Sequence, residues 1–131
     1  MENNNPSERI YKILIAEDEP VESELLKQVI SKAGYEVLIT KNGQEALDKV
    51  EDFNPDLIML DINMPVKNGY DTCRELRLNV NTRDIPVLFL TTNQTNEQVM
   101  EGFESGAVDY IFKPYTLDKL KERIKKNLEE I

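Results

Sequence analysis

The sequence predicts an α/β fold of the doubly wound kind, a parallel sheet with helices on both faces. Three observations carry this. Five short apolar runs alternate with five stretches of helical spacing. The runs are almost continuously apolar instead of alternating, as in strands buried on both faces. Strands that alternate with helices also require right-handed crossovers, which cover a sheet on both sides and give three layers.

The elements follow in order. The first strand is "YKILIA" (11–16), and Pro20 suits the first position of the helix after it. In that helix Val21, Leu25, Leu26, Val29 and Ile30 share one face, and Gly34 suits its end. The second strand is "EVLI" (36–39), followed by a helix lined by Ala46, Leu47 and Val50. The third is "DLIML" (56–60), followed by a helix lined by Tyr70, Cys73 and Leu76. The fourth is "PVLFL" (86–90), followed by a helix lined by Val99, Met100 and Phe103, with Gly106 at its end. The fifth is "VDYIF" (108–112). Thr116 then suits the N-cap of a last helix lined by Leu117, Leu120, Ile124 and Leu128.

The 131 residues suit one compact domain. Residues 1–9, "MENNNPSER", are polar and lack the apolar centre of a signal peptide, so they read as a flexible arm before a domain spanning 10–131. No apolar run approaches the roughly 20 residues that span a bilayer. The single cysteine, Cys73, forms no internal disulfide, which makes a reducing cytoplasm the default and Cys73 itself a small core residue. A net charge of -9 argues against direct nucleic-acid binding by this domain. The basic residues of the last helix, Lys119 to Lys126, read as a solvated face offset by Glu122, Glu129 and Glu130. There is no histidine, so the usual general base and the commonest metal ligand are missing. A bound metal must be held by oxygen, which favours a hard cation.

In open α/β sheets the functional crevice lies beyond the carboxyl ends of the strands. The first strand delivers Glu17 and Asp18 there, the third Asp61, the fourth Thr91 and Thr92, and the fifth Lys113 followed by Pro114. The second delivers only Thr40, Lys41 and Asn42, which fits an edge strand. At about 4 Å, each carboxylate pair repels by roughly 4 kcal/mol at an effective dielectric near 20. Lys113 and a divalent cation together would bring the formal charge of the cluster to zero. Such a site is poised for a further anion, and a phosphoryl group is the natural one, because its transfer is mostly positioning and charge neutralisation. Asp61 could then act as a nucleophile that forms an acyl phosphate.

"AEDE", "DLIMLDINMPVKNGYD", "PVLFLTT" and "GAVDYIFKPY" together resemble the receiver domain of two-component response regulators, of the chemotaxis-regulator kind. The resemblance runs from about residue 11 to 130. It implies a flavodoxin-like (βα)5 fold with strand order 2-1-3-4-5. It also implies a phosphorelay switch that is phosphorylated on Asp61 by a sensor histidine kinase or histidine phosphotransfer protein. Glu17 and Asp18 resemble the family's acidic pair, with Asp18 a direct ligand of Mg2+ (or Mn2+) and Glu17 acting through water. The Asn63 backbone carbonyl resembles the third protein ligand. Thr91 resembles the switch hydroxyl, and Lys113 the family's lysine, with the Lys113–Pro114 bond cis. Tyr110 resembles the aromatic that swings from exposed to buried on activation. The output partner, or a second copy of the chain, would dock on the face of the fourth helix, fifth strand and fifth helix.

Two positions vary from the pattern. The residue after the switch hydroxyl is usually small, and here it is the branched Thr92. The acidic pair begins with Glu in place of Asp. Thr92 and Asn93 would set access to the acceptor.

Other readings compete. A lone strand-end Asp usually caps a turn, and Glu17 and Asp18 also suit the positive end of a helix dipole. Thr91 and Tyr110 suit a strand for packing alone. An aspartyl-phosphate phosphatase would place a second aspartate two positions after the nucleophile, where this chain has Asn63, an amide that exchanges no protons. The chain therefore reads as no enzyme beyond its own phosphorylation and slow dephosphorylation. A degenerate receiver that only docks or dimerises would not need the intact constellation. Ile131 falls where the last helix should stop, which fits a stand-alone regulator or a receiver cut from a hybrid kinase or multidomain regulator.

Overall fold

The computed structural model describes residues 9–92 and 94–128. The order is β1 (Lys12–Ala16), α1 (Pro20–Lys32), β2 (Glu36–Thr40), α2 (Gly43–Phe53), β3 (Leu57–Leu60), α3 (Gly69–Leu78), β4 (Val87–Thr92), α4 (Asn96–Glu104), β5 (Asp109–Lys113) and α5 (Leu117–Leu128). All pairings are parallel and the sheet order is β2-β1-β3-β4-β5, as the resemblance implies. The arm expected over 1–9 lies outside the described residues, except for Arg9, which pairs with Asp56.

Continuous apolar runs are needed because every central strand feeds two cores. Leu14, Ala16, Ile58, Leu60, Val87 and Phe89 point to one face and pack with Ala46 and Val50 of α2 and with Cys73 and Leu76 of α3. Ile13, Ile15, Leu57, Met59, Leu88 and Leu90 point to the other and pack with Leu26 and Ile30 of α1 and with Leu120, Ile124 and Leu128 of α5. No residue of β3 exposes any measurable surface, so β3 is the centre of the molecule. β2 is only half-buried, as an edge strand should be.

The helix starts are capped by side chains that accept otherwise orphaned N–H groups. Glu19, Asn42 and Asn68 cap α1, α2 and α3. Thr95 and Gln98 form a reciprocal capping box on α4. The hydroxyl of Thr116 accepts the Lys119 N–H at 3.1 Å, as expected for α5. Gly34 and Gly106 follow α1 and α4 with φ of 104° and 115°, conformations that favour glycine.

Three helix faces differ from the periodicity. Val21 and Leu25 of α1 are 75% and 52% exposed, Met100 and Phe103 of α4 are 61% and 48% exposed, and Leu117 of α5 is 49% exposed. These side chains continue an apolar stripe beyond the part of the helix that the sheet covers. Three strands also run further than their apolar runs, β2 by Thr40. β4 includes Thr91 and Thr92, and β5 includes Lys113, so polar residues occupy the last rungs at the carboxyl edge.

Candidate functional site

Beyond β1 the chain remains tied to the sheet, since the Glu17 N–H donates to the Thr40 carbonyl at 3.0 Å. This draws the Glu17 side chain inward, where it is 3% exposed. Asp18 follows it and faces solvent. Asp61 leaves β3 in the same way, with its N–H donating to the Ala16 carbonyl at 3.0 Å. That bond fixes the start of the β3–α3 loop beside the end of β1. Asn63, exposed two residues on, donates its N–H to Asp61 Oδ1 at 3.3 Å.

Gly69 holds this loop in place from behind. Its N–H donates to the Ile62 carbonyl at 2.9 Å. A Cβ at position 69 would lie 2.7 Å from the Asp61 carbonyl oxygen and 2.9 Å from Ile62 Cα. Only glycine lets the first turn of α3 approach the acceptor loop so closely.

Carboxylate oxygens of Glu17, Asp18 and Asp61 lie within 4.8 Å of one another. Lys113, the last residue of β5, reaches them across the end of β4 through the cis Lys113–Pro114 corner. Its Nζ lies 3.1 Å from Glu17 Oε1, 3.3 Å from Glu22 Oε2 and 3.7 Å from Asp61 Oδ2. Thr91 is buried at the end of β4. Thr92 pairs in register with Lys113 and lines an open groove with Glu19, Val21, Glu22, Leu25, Tyr115 and Leu117.

Charge crowding shows in the protonation equilibria. Burial, then the neighbouring Asp61 carboxylate, pushes Glu17 up to about 7, against the opposing pull of Lys113. Burial also raises Asp61, opposed by Lys113 and by the backbone N–H groups of Asn63 and Ile62. For Lys113, burial alone would favour the neutral amine. The carboxylates of Asp61, Glu17 and Glu22 outweigh it, and the ammonium is held above its usual range. One cation therefore serves more acid than it can neutralise. An all-oxygen donor set with surplus negative charge fits a hard divalent cation.

The response regulator receiver domain family matches residues 13–125. The chain belongs to that family. The receiver is 40% identical over 114 residues to an uncharacterised transcriptional regulatory protein, YrkP, of Bacillus subtilis, covering 87% of this chain and 48% of YrkP. It thus spans about half the length of that relative. It is 36% identical to the solved signal receiver domain of a histidine kinase from Syntrophus aciditrophicus, with a TM-score of 0.85 over 92% of both chains. It is also 28% identical to the receiver domain of the sensor histidine kinase PA1611 from Pseudomonas aeruginosa, with a TM-score of 0.84 over 92% of this chain and 98% of that one. That structure holds a magnesium ion coordinated in its active-site cleft.

The fold thus brings Glu17, Asp18, Asp61 and Lys113 together, with Asn63 bonded to Asp61 and with Thr91 and Thr92 ending the adjacent strand. Asn93 lies outside the described residues. Tyr110 is on the α4 side of the sheet and is 7% exposed, in the buried position. Its hydroxyl donates to the Val99 carbonyl at 3.3 Å. Among the described residues no helix is long and apolar enough to cross a membrane.

Sequence reasoning missed Glu22 and Tyr115. Glu22 sits in the first turn of α1, where acids are ordinary. Yet it pairs with Lys113, and the Tyr115 hydroxyl donates to the same oxygen, Glu22 Oε2, at 3.3 Å. The one available signal is the tyrosine after "KP", which returns the chain to the face of α1.

Proposed function

We propose that this receiver is a phosphorylation switch with Asp61 as the acceptor. A sensor histidine kinase or histidine phosphotransfer protein supplies the phosphoryl group. An Asp61 carboxylate oxygen attacks phosphorus, and the bond from phosphorus to the donor's imidazole nitrogen breaks. The electron pair stays with that nitrogen, and an acyl phosphate remains on Asp61. The Lys113 ammonium, already beside Asp61, pairs with a phosphoryl oxygen, and the Thr91 hydroxyl donates to another. Asp18, Asp61 and the Asn63 carbonyl, with Glu17 through water, would hold Mg2+ or Mn2+, whose charge offsets that of the phosphoryl oxygens. The observation that carries this reading is the cluster of Glu17, Asp18 and Asp61 with Lys113 as its shared ammonium.

The change is read on the α4-β5-α5 face by an output partner or a second copy of this chain. Phe103, Val108 and Phe112 are partly exposed there, beside Tyr110. The setting is the cytoplasm. The receiver is no enzyme beyond its own phosphorylation and slow hydrolysis, since Asn63 cannot act as an acid or base. The proposed readout is an output domain or a separate target protein, in keeping with the match to YrkP, a relative named as a transcriptional regulatory protein.

The test is incubation with a small phosphodonor and magnesium, followed by intact-mass measurement. A stable adduct of one phosphoryl group is expected, lost in Asp61→Ala and in Asp18→Ala. Rapid release of inorganic phosphate would instead show a phosphatase. No adduct would leave a docking module.

A further inference from the structure

We propose that Glu22 is a positioning residue that slows phosphorylation by holding Lys113 away from the acceptor and by adding negative charge beside it. The inference rests on Asp61 being the acceptor.

Glu22 is outside the three-carboxylate cluster that suits a cation. Even so, it is nearer to Lys113 Nζ than Asp61 is, at 3.3 Å against 3.7 Å. Its carboxylate is also held in place. The Tyr115 hydroxyl shares Glu22 Oε2 with the ammonium. Upstream, Glu19 caps the Glu22 N–H at 2.8 Å, which fixes the first turn of α1. The Glu22 side chain is 25% exposed, against 18% for Lys113, so the pair is partly desolvated and incompletely screened by solvent.

An incoming phosphoryl group needs this ammonium. In the transfer from acetyl phosphate, a bond forms between an Asp61 oxygen and phosphorus. The bond from phosphorus to the acetate oxygen breaks, and acetate leaves with the electron pair. While that happens, negative charge gathers beside Lys113. Two of the ammonium's carboxylate partners, Glu17 and Asp61, belong to the cluster itself. Glu22 is a third, and it both competes for Lys113 and repels the donor. Its effect on the rate must therefore grow with the donor's negative charge, which distinguishes it from a residue that merely supports α1.

The experiment compares wild type with Glu22→Gln at saturating magnesium. Gln keeps the size of the side chain and an oxygen for the Tyr115 hydroxyl. Rate constants are measured with acetyl phosphate, a dianion, and with phosphoramidate, which carries one net negative charge. The variant should react faster with acetyl phosphate by about fivefold to tenfold, and with phosphoramidate by about twofold. Glu22→Asp, which keeps the charge, should stay closer to wild type than Glu22→Gln does. An unchanged or slower rate in Glu22→Gln overturns the proposal. So does an equal acceleration with both donors. If wild type takes no phosphoryl group from either donor, the assignment of Asp61 fails instead.

Discussion

Lys113 is closer to Glu17 than to Asp61, at 3.1 Å against 3.7 Å. The one ammonium is thus shared among several acids and sits nearer to Glu17 than to the proposed acceptor. Lys113→Met should leave buried acids unopposed. Removing one partner of a buried pair typically costs about 3–5 kcal/mol. The side chain here is 18% exposed, so about 2–3 kcal/mol is expected, read as a lower urea midpoint at neutral pH without metal.

Asp61→Asn should act in the opposite direction. It removes a charge that repels Glu17 and Asp18 while keeping the shape of the side chain. Metal-free stability should rise by about 1–2 kcal/mol, while labelling is lost. Magnesium should stabilise wild type by mass action and stabilise the variant less. A less stable variant that still labels would place the acceptor elsewhere.

Glu17 should make stability depend on pH when metal is chelated. Its folded pKa is raised to about 7 from an ordinary 4.5, so the folded state holds the proton more tightly than the unfolded chain does. This contribution is fully present below about pH 4.5 and is lost as pH rises through 7. Over that window Glu17 should remove a few kcal/mol of stability. Glu17→Gln should flatten this part of the profile. Chemical denaturation in chelator from pH 5 to 8 measures it, and equal slopes in both proteins would rule out Glu17 as the cause.

The sheet and the acidic half of the site were legible for one physical reason. Strands buried on both faces must be apolar throughout, so Asp61 and Lys113 are conspicuous where the runs stop. Helix faces were less legible. Periodicity in α1 marks Val21 and Leu25 as apolar neighbours of Leu26, but it does not show where the sheet beneath them ends. Glu22 was harder still, because an acid in a first helical turn already has a local reason to be there. Its pairing with Lys113 and Tyr115 depends on the path of the β5–α5 corner, which no local pattern encodes.

Thr92 should set the speed of the chemistry. Its exposed side chain lines the groove beside Lys113 instead of turning into the sheet. Its branching at Cβ restricts the rotamers through which it could fold away. Thr92→Ala should speed both phosphorylation by a small donor and spontaneous dephosphorylation, with little change in magnesium affinity. A tenfold change needs only about 1.4 kcal/mol of barrier. If neither rate moves, Thr92 is no gate.

Gly102 should decide where Tyr110 sits. The Tyr110 ring stacks on Phe112 with centroids 5.3 Å apart, and it meets Phe89 and Phe103 edge-on at 5.4 Å and 5.2 Å. This aromatic nest fills the space that Gly102 leaves. A Cβ at position 102 would lie 1.7 Å from the Tyr110 hydroxyl oxygen and 2.7 Å from Cζ. Both atoms belong to a rigid ring, so no small adjustment relieves the clash, and Gly102→Ala should drive the ring outward. Alanine gains roughly 1 kcal/mol of helix propensity over glycine. Exposing much of a buried aromatic loses about 2–3 kcal/mol, so a net loss of about 1–2 kcal/mol should remain. The phenol reports its own position. Burial, followed by nearby Tyr70, Cys73 and Glu101, raises it to about 12 in the buried site. Once outside, it should titrate closer to its ordinary value of 10. Ultraviolet titration of wild type against Gly102→Ala should show one tyrosine moving down. Superimposable curves would mean that the ring keeps its place and that α4 shifts instead.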